Sequence, residues 1–571
     1  MQPTRAAYIY VNMAGALITA AALSLFAMGR DGTATSLIPV MITFSGLAYL
    51  LLVHLGYAAV VRKASVDPRL SDILSASLAP FSHGVTFAAA PVDDARAFFW
   101  RRGYCVMPDR LATDLATEGG DERRKRLGIF TVAHELGHLL SHDTQAFALC
   151  FALFVYGIVS ACGLWAGLLL GALTFRPAAV LGLAYVTAMF LYMMYESMRM
   201  REFFADQIAA AILGHGPVKT VVERRAREEK HLVYPRSYLV THPKFCDRAT
   251  RLNDFSKTYE YGYVRALFTS FVLALNIALI PFAATGLGSL LGILGQVLGA
   301  ILALWFNSFI VFSLVVPATL VDRLGLRDAL LRAIVVIIGT AFNIAFLGWS
   351  LLGRDILGHL ARQSEGASRM VGGVLGLLCL HAAYWFAARY TLRFRGPKRP
   401  DRAFYRRMFI LAAGGATATA GMLVTLGRWI VAIALGNSMS PDDDVVTTLT
   451  VALIFGAITL LCASAWVRYV RRRSAAWGAT TDTTARFVEM EWCADHVIQQ
   501  SVKPGKIKMV GIFALAFVAG LVLTPIIASH MGTDPITATL AWIVASPAMW
   551  WSARRNAKRT SLPPTYMLAP I

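Results

Sequence analysis

Apolar runs long enough to cross a bilayer recur along this chain, and that pattern constrains its fold more than any other feature. They fall near 8–28, 37–61, 146–174, 178–195, 266–286, 295–318, 333–353, 369–389, 409–436, 445–466, 509–529 and 535–552. Runs of this length read as membrane helices, because a helix satisfies its own backbone hydrogen bonds in lipid. The expected fold class is therefore an all-α polytopic membrane protein with about twelve transmembrane helices. Composition agrees: 57% of the 571 residues are hydrophobic and only 15% are charged, too apolar for an ordinary soluble protein. The first run, Tyr8 to Met28, lacks a small-residue cleavage site and reads as an anchor, not a signal peptide.

The formal charge of +20 fits loops that set orientation better than it fits nucleic acid, since no basic helix or aromatic platform accompanies it. Arg62-Lys63, Arg123 to Arg126, Arg224-Arg225, the run from Arg393 to Arg407, Arg471 to Arg473 and Arg554-Arg555 all fall in alternate loops, while the intervening loops are poor in Lys and Arg. That bias places both termini in the cytoplasm. The cysteines at 105, 150, 162, 246, 379, 462 and 493 form no CxxC pair and imply neither a disulfide framework nor a thiolate metal site.

One stretch, "TVAHELGHLLSHD" (131–143), faces the cytoplasm in this topology, just before the third span. On a helix, His134 and His138 share a face, and two imidazoles one turn apart reach a single Zn2+. Glu135 is offset from them and can reach a water, where a general base for peptide hydrolysis belongs. Gly137 weakens the helix but lets another chain approach closely. Val132, Ala133, Leu136, Leu139 and Leu140 can pack the helix into place. An HExxH arises by accident about once in a hundred chains of this length, so the motif favours zinc but needs a third ligand. His142 does not supply it. The longer pattern HExxHxxGxxH has its third His six residues past the second, and Ser141 stands where it has Gly.

"REFFADQIAA" (201–210) supplies the candidate. Glu202 would complete a His2Glu set with a fourth position left for water. Asp206, one turn on, can accept a hydrogen bond from the far nitrogen of a ligating His. Such an acid pair alone is usually a solvated helix face. Here a membrane hairpin returns it to the surface that carries "HELGH".

"HELGH", "EFFAD" and "THPKFCDRATRL" (241–252) together resemble the M48 metallopeptidases, a family that includes bacterial heat-shock membrane proteases and eukaryotic prenyl-protein proteases. The resemblance covers about residues 1–255. It implies one Zn2+ per chain held by His134, His138 and Glu202, with Glu135 as catalytic base and Asp206 and Arg248 behind the ligands. It also implies that His242 stabilises the oxyanion, and that the substrates are membrane or membrane-associated proteins. With the high Arg to Lys ratio, it points to a bacterial inner membrane.

The rest of the chain echoes the first half. "EMEWCADHVI" (489–498) aligns Glu491 with Glu202 and Asp495 with Asp206. The expected organisation is a metallopeptidase unit at 1–322, with its catalytic region at 62–265, and a degenerate six-span repeat at 323–571 lacking HExxH. Two rival readings remain: a catalytically silent membrane scaffold or regulator, and a transporter built from two six-span units.

Overall fold

The computed structural model describes residues 55–78, 85–100, 102–117, 121–140, 177–229, 243–274, 293–320, 324–352, 358, 364–392, 402–434 and 445–474. These are mostly helical, as expected. The exception is a three-stranded sheet that an all-α reading leaves out.

Helix α1 (55–63) leads to α2 (Pro68–Ser77). Asp67 caps α2 by accepting from the Arg69 N–H at 2.9 Å, and Pro68 fills the first turn, where no N–H is needed. Strands β1 (Val85–Ala90), β2 (Arg96–Trp100) and β3 (Arg102–Pro108) follow. Their spatial order is β1-β3-β2. β1 runs parallel to β3 with Phe87 opposite Cys105, and β2 runs antiparallel with Phe98 opposite Tyr104. Side chains alternate between faces. Phe87, Ala89, Ala97, Cys105 and Met107 enter one core with α2, α3 (Asp109–Ala116) and α4 (Glu122–Leu140). Ala88, Ala90, Phe98, Tyr104 and Val106 face Tyr57, Val60 and Val61 of α1. The Tyr57 ring stacks on Phe98 at 4.4 Å.

Helix α5 (Pro177–Leu213) has 37 residues, about 55 Å of helix at 1.5 Å per residue. It begins in the predicted 178–195 run and continues without a break through Glu202 and Asp206. No Gly or Pro occurs between 183 and 213 to stop it. Gly214 then takes a left-handed turn (φ 87°) that few other residues tolerate. The chain turns there into α6 (His215–Glu229) and, later, α7 (Phe245–Asn253).

Beyond the 3-10 turn Phe255–Thr258 come α8 (263–274), α9 (Ile293–Leu320), α10 (Leu326–Leu347), α11 (Ser364–Leu392), α12 (Arg402–Ala434) and α13 (Val445–Ser474). Among the described residues, four stretches are long and apolar enough to cross a membrane: Leu326–Ser350, Met370–Leu392, Phe404–Val431 and Val445–Arg472. They match the predicted runs at 333–353, 369–389, 409–436 and 445–466. Shorter apolar stretches, Val180–Met189, Tyr263–Ala274 and Asn307–Leu320, fall on three further runs. The runs at 8–28, 146–174, 509–529 and 535–552, and most of 37–61, lie outside the described residues. Ile334, Ile338 and Phe342 on α10 and Leu453, Leu460 and Leu461 on α13 are exposed, as on helices whose solvent is lipid.

A single apolar core runs from Val186 and Phe203 on α5 through Phe271, Phe312, Val336 and Tyr384 to Trp466 on α13. It spans both sides of residue 322. Buried polar contacts reinforce the join. Tyr185 on α5 donates to Asn343 on α10 at 2.6 Å, and Asn343 donates to Ser270 on α8 at 3.3 Å. His381, within α11, meets Tyr261 at 3.2 Å. Glu491 and Asp495, on which the repeat reading rests, lie outside the described residues.

Candidate metal centre

Helix α4 crosses α5 at one point of close approach. A Cβ on Gly137 would stand 3.0 Å from the Ala205 carbonyl oxygen, 3.1 Å from Ala205 Cα and 3.3 Å from Ile208 Cβ. The close approach anticipated for this glycine is thus made by the backbone of the helix that bears Glu202. Val132, Ala133, Leu136 and Leu139 are all buried around it. On its far side, Gly128 fits against Leu111 and Leu115 of α3. The crossing brings the polar faces of α4 and α5 together inside an otherwise apolar core.

There His134 Nε2 lies 3.1 Å from Glu202 Oε2, and His138 Nε2 lies 3.5 Å from Glu202 Oε1. The two imidazoles sit edge to face, with centroids 4.9 Å apart. One ligand atom from each of the three residues falls within 4.8 Å of the others. Ligands held 2.0–2.1 Å from a tetrahedral Zn2+ are about 3.3 Å apart, and each histidine approaches Glu202 at close to that spacing, His134 at one carboxylate oxygen and His138 at the other. All three side chains are buried. Two nitrogens and one carboxylate make a donor set that suits zinc and leaves a position open.

Behind these groups lies a hydrogen-bonded support. Asp206 Oδ1 accepts from His134 Nδ1–H at 2.9 Å, which leaves Nε2 to face Glu202 and His138. Arg248, on α7, grips Asp206 with both arms of its fork, Nε to Oδ2 at 2.7 Å and Nη2 to Oδ1 at 2.5 Å. This two-point geometry is the strong form of an ion pair. Arg248 Nη2 also lies 3.3 Å from His134 Nδ1.

The protonation pattern follows from these contacts. Burial pulls the His134 pKa down, but hydrogen bonds to Asp206 and Glu202 outweigh it and hold it at about 9. The same carboxylates that favour a charged His134 would favour a cation held between His134, His138 and Glu202. Burial raises the Asp206 carboxyl pKa, yet the guanidinium of Arg248 and the His134 imidazole leave it lowered overall. Arg248 is held more firmly charged than usual: burial opposes this, and Asp206 and Glu202 overcome it.

Glu135 is half-buried and stands apart from the His-His-Glu group, as its offset on the helix requires. Its charge is felt by Arg248 and by the buried thiol of Cys105 on β3, whose pKa is raised by burial first and by Glu135 second. The site thus sits between the sheet and α5. His242 lies outside the described residues, and the next residue, Pro243, is buried. Sequence reasoning missed the proximity of Cys105 and the role of Ala205 as the partner of Gly137, since both depend on contacts between distant segments.

Residues 61–256, about a third of the chain, match the model for peptidase family M48. This segment is an M48 peptidase region. It contains "HELGH", "EFFAD" and "HPKFCDR", and so all the residues that build the site. The M48 match supports metallopeptidase activity for this region. No curated protein and no solved structure matches the chain.

Proposed function

We propose that the chain is an integral membrane zinc endopeptidase that hydrolyses membrane or membrane-associated proteins at the cytoplasmic face. The observation that carries this reading is the convergence of three buried residues, His134, His138 and Glu202, whose ligand atoms lie within 4.8 Å of one another. Buried carboxylates and imidazoles are costly unless they share protons or a cation. The M48 match to residues 61–256 supports the same conclusion.

In this mechanism His134, His138 and Glu202 would hold Zn2+, which when bound would supply Lewis acidity. Glu135 takes the proton of the attacking water and passes it to the leaving amine. Asp206 keeps His134 in the tautomer that presents Nε2, and Arg248 keeps Asp206 charged and in place. His242 is the proposed oxyanion partner. About twelve spans, cytoplasmic termini and a bacterial inner membrane complete the proposal. Its support is the basic-residue bias of alternate loops and the four apolar helices of spanning length.

The test is Glu135→Gln in the purified full chain, assayed for zinc and for casein cleavage. The variant should keep its zinc and lose cleavage, because the ligands remain while the base is gone. Near-normal cleavage by Glu135→Gln refutes the mechanism. A wild type that binds zinc but cleaves nothing favours the scaffold reading.

A further inference from the structure

We propose that Glu229 is a positioning residue for the metal centre, acting through Arg248; this rests on the metal-site reading above. Helix α7, which carries Arg248, has nine residues, too few to hold their own helical shape in isolation. Its N-cap residue, Lys244, makes no side-chain capping bond. A carboxylate from the end of α6 does this work instead. Glu229 Oε2 accepts the backbone N–H of Phe245, the first residue of α7, at 2.7 Å. A negative group there also suits the positive end of the helix dipole.

From that bond a chain of contacts leads to the centre. The Phe245 ring lies 4.5 Å from the Arg248 guanidinium carbon, a cation–π distance. Arg248 grips Asp206 with two hydrogen bonds, and Asp206 accepts from His134 Nδ1–H. The other end of α7 is tied to α6 as well. His215 Nε2–H donates to the Leu252 carbonyl at 2.8 Å, and Asn253 Nδ2 donates to Glu223 at 3.0 Å. With both ends of α7 held by α6, the bond from Glu229 sets the start of α7 and hence the aim of the Arg248 fork. That aim fixes Asp206, and Asp206 fixes the plane of the His134 ring.

The experiment uses the purified full chain. Zinc affinity is measured by competition with a chelator, and ligand geometry by the visible absorption of the Co2+-loaded protein. Glu229→Ala should weaken zinc binding roughly fivefold, the weight of a lost helix cap, and shift or broaden the cobalt bands. Glu229→Gln still presents an accepting oxygen and should stay within about twofold of wild type. In an Arg248→Ala background, Glu229→Ala should add nothing, because its route to the metal is already cut. Should Glu229→Ala fail to fold, Glu229→Asp, one methylene too short, reads the same relay and should move affinity and spectrum in the same direction. A fall in melting temperature with zinc affinity and cobalt spectrum unchanged overturns the inference, as do effects that add fully to those of Arg248→Ala. A wild-type chain that takes up no metal overturns the metal-site reading, and this inference with it.

Discussion

Gly137→Ala sets two effects of known size against each other. Replacing a helical glycine by alanine ordinarily stabilises a helix by about 1 kcal/mol. Here the new methyl would sit 3.0 Å from the Ala205 oxygen, 3.1 Å from Ala205 Cα and 3.3 Å from Ile208 Cβ. Those atoms belong to backbone or to a branch point, so no rotamer change removes them. Relaxed contacts between such atoms are roughly 3.5–4.0 Å, so α4 and α5 must part by about half an ångström. Overpacking of this kind costs about 1–3 kcal/mol, and the net change in stability lies between about zero and 2 kcal/mol of loss.

The consequence for metal is larger than for stability. His134 and His138 lie on one side of the crossing and Glu202 on the other, and ligand distances tolerate only about 0.2 Å. Zinc affinity should therefore fall on the order of 10- to 100-fold, the range seen when the support of a ligand is disturbed. Chelator competition gives the affinity, and thermal unfolding of the metal-free chain gives the stability. A Gly137→Ala variant that melts higher and binds zinc as tightly as wild type would refute the argument.

Asp206→Asn puts an amide N–H2 against either the Arg248 fork or the His134 N–H and leaves the buried guanidinium without its bidentate carboxylate partner. Loss of one partner of such a pair costs about 3–5 kcal/mol, so thermal unfolding should fall sharply and zinc affinity should weaken with it; an unchanged melting temperature counts against the ion pair. The proposed orientation predicts that Gly120→Cys, in a background lacking other cysteines, is shielded from an impermeant thiol reagent in intact cells, while Ser440→Cys is labelled. Labelling at 120 places the site outside the cell.

The parts of this molecule that were legible in sequence are those whose signal is local and periodic. His134 and His138 are one helical turn apart, and so are Glu202 and Asp206, so each pair declares its shared face without knowledge of the fold. The apolar runs that became α10 to α13 are similarly self-contained. What joins the pairs is not local. Gly137 announces a close approach but not its partner, Ala205, which lies 68 residues on. The sheet escaped because β1, β2 and β3 have only six, five and seven residues, and runs so short carry little periodic signal. Glu229 lies in a charged stretch, "ERRAREEK" (223–230), that reads as a solvated helix face. Its partner among the described residues, the Phe245 N–H, comes from the return of the chain.

The central claim, that His134, His138 and Glu202 hold one metal ion between α4 and α5, is tested most directly by the zinc content of the purified chain. The account predicts close to one zinc per chain in wild type and in Glu135→Gln, and close to none in His138→Ala and Glu202→Ala. A wild type without zinc, or a Glu202→Ala chain that still holds one ion as tightly as wild type, would contradict it.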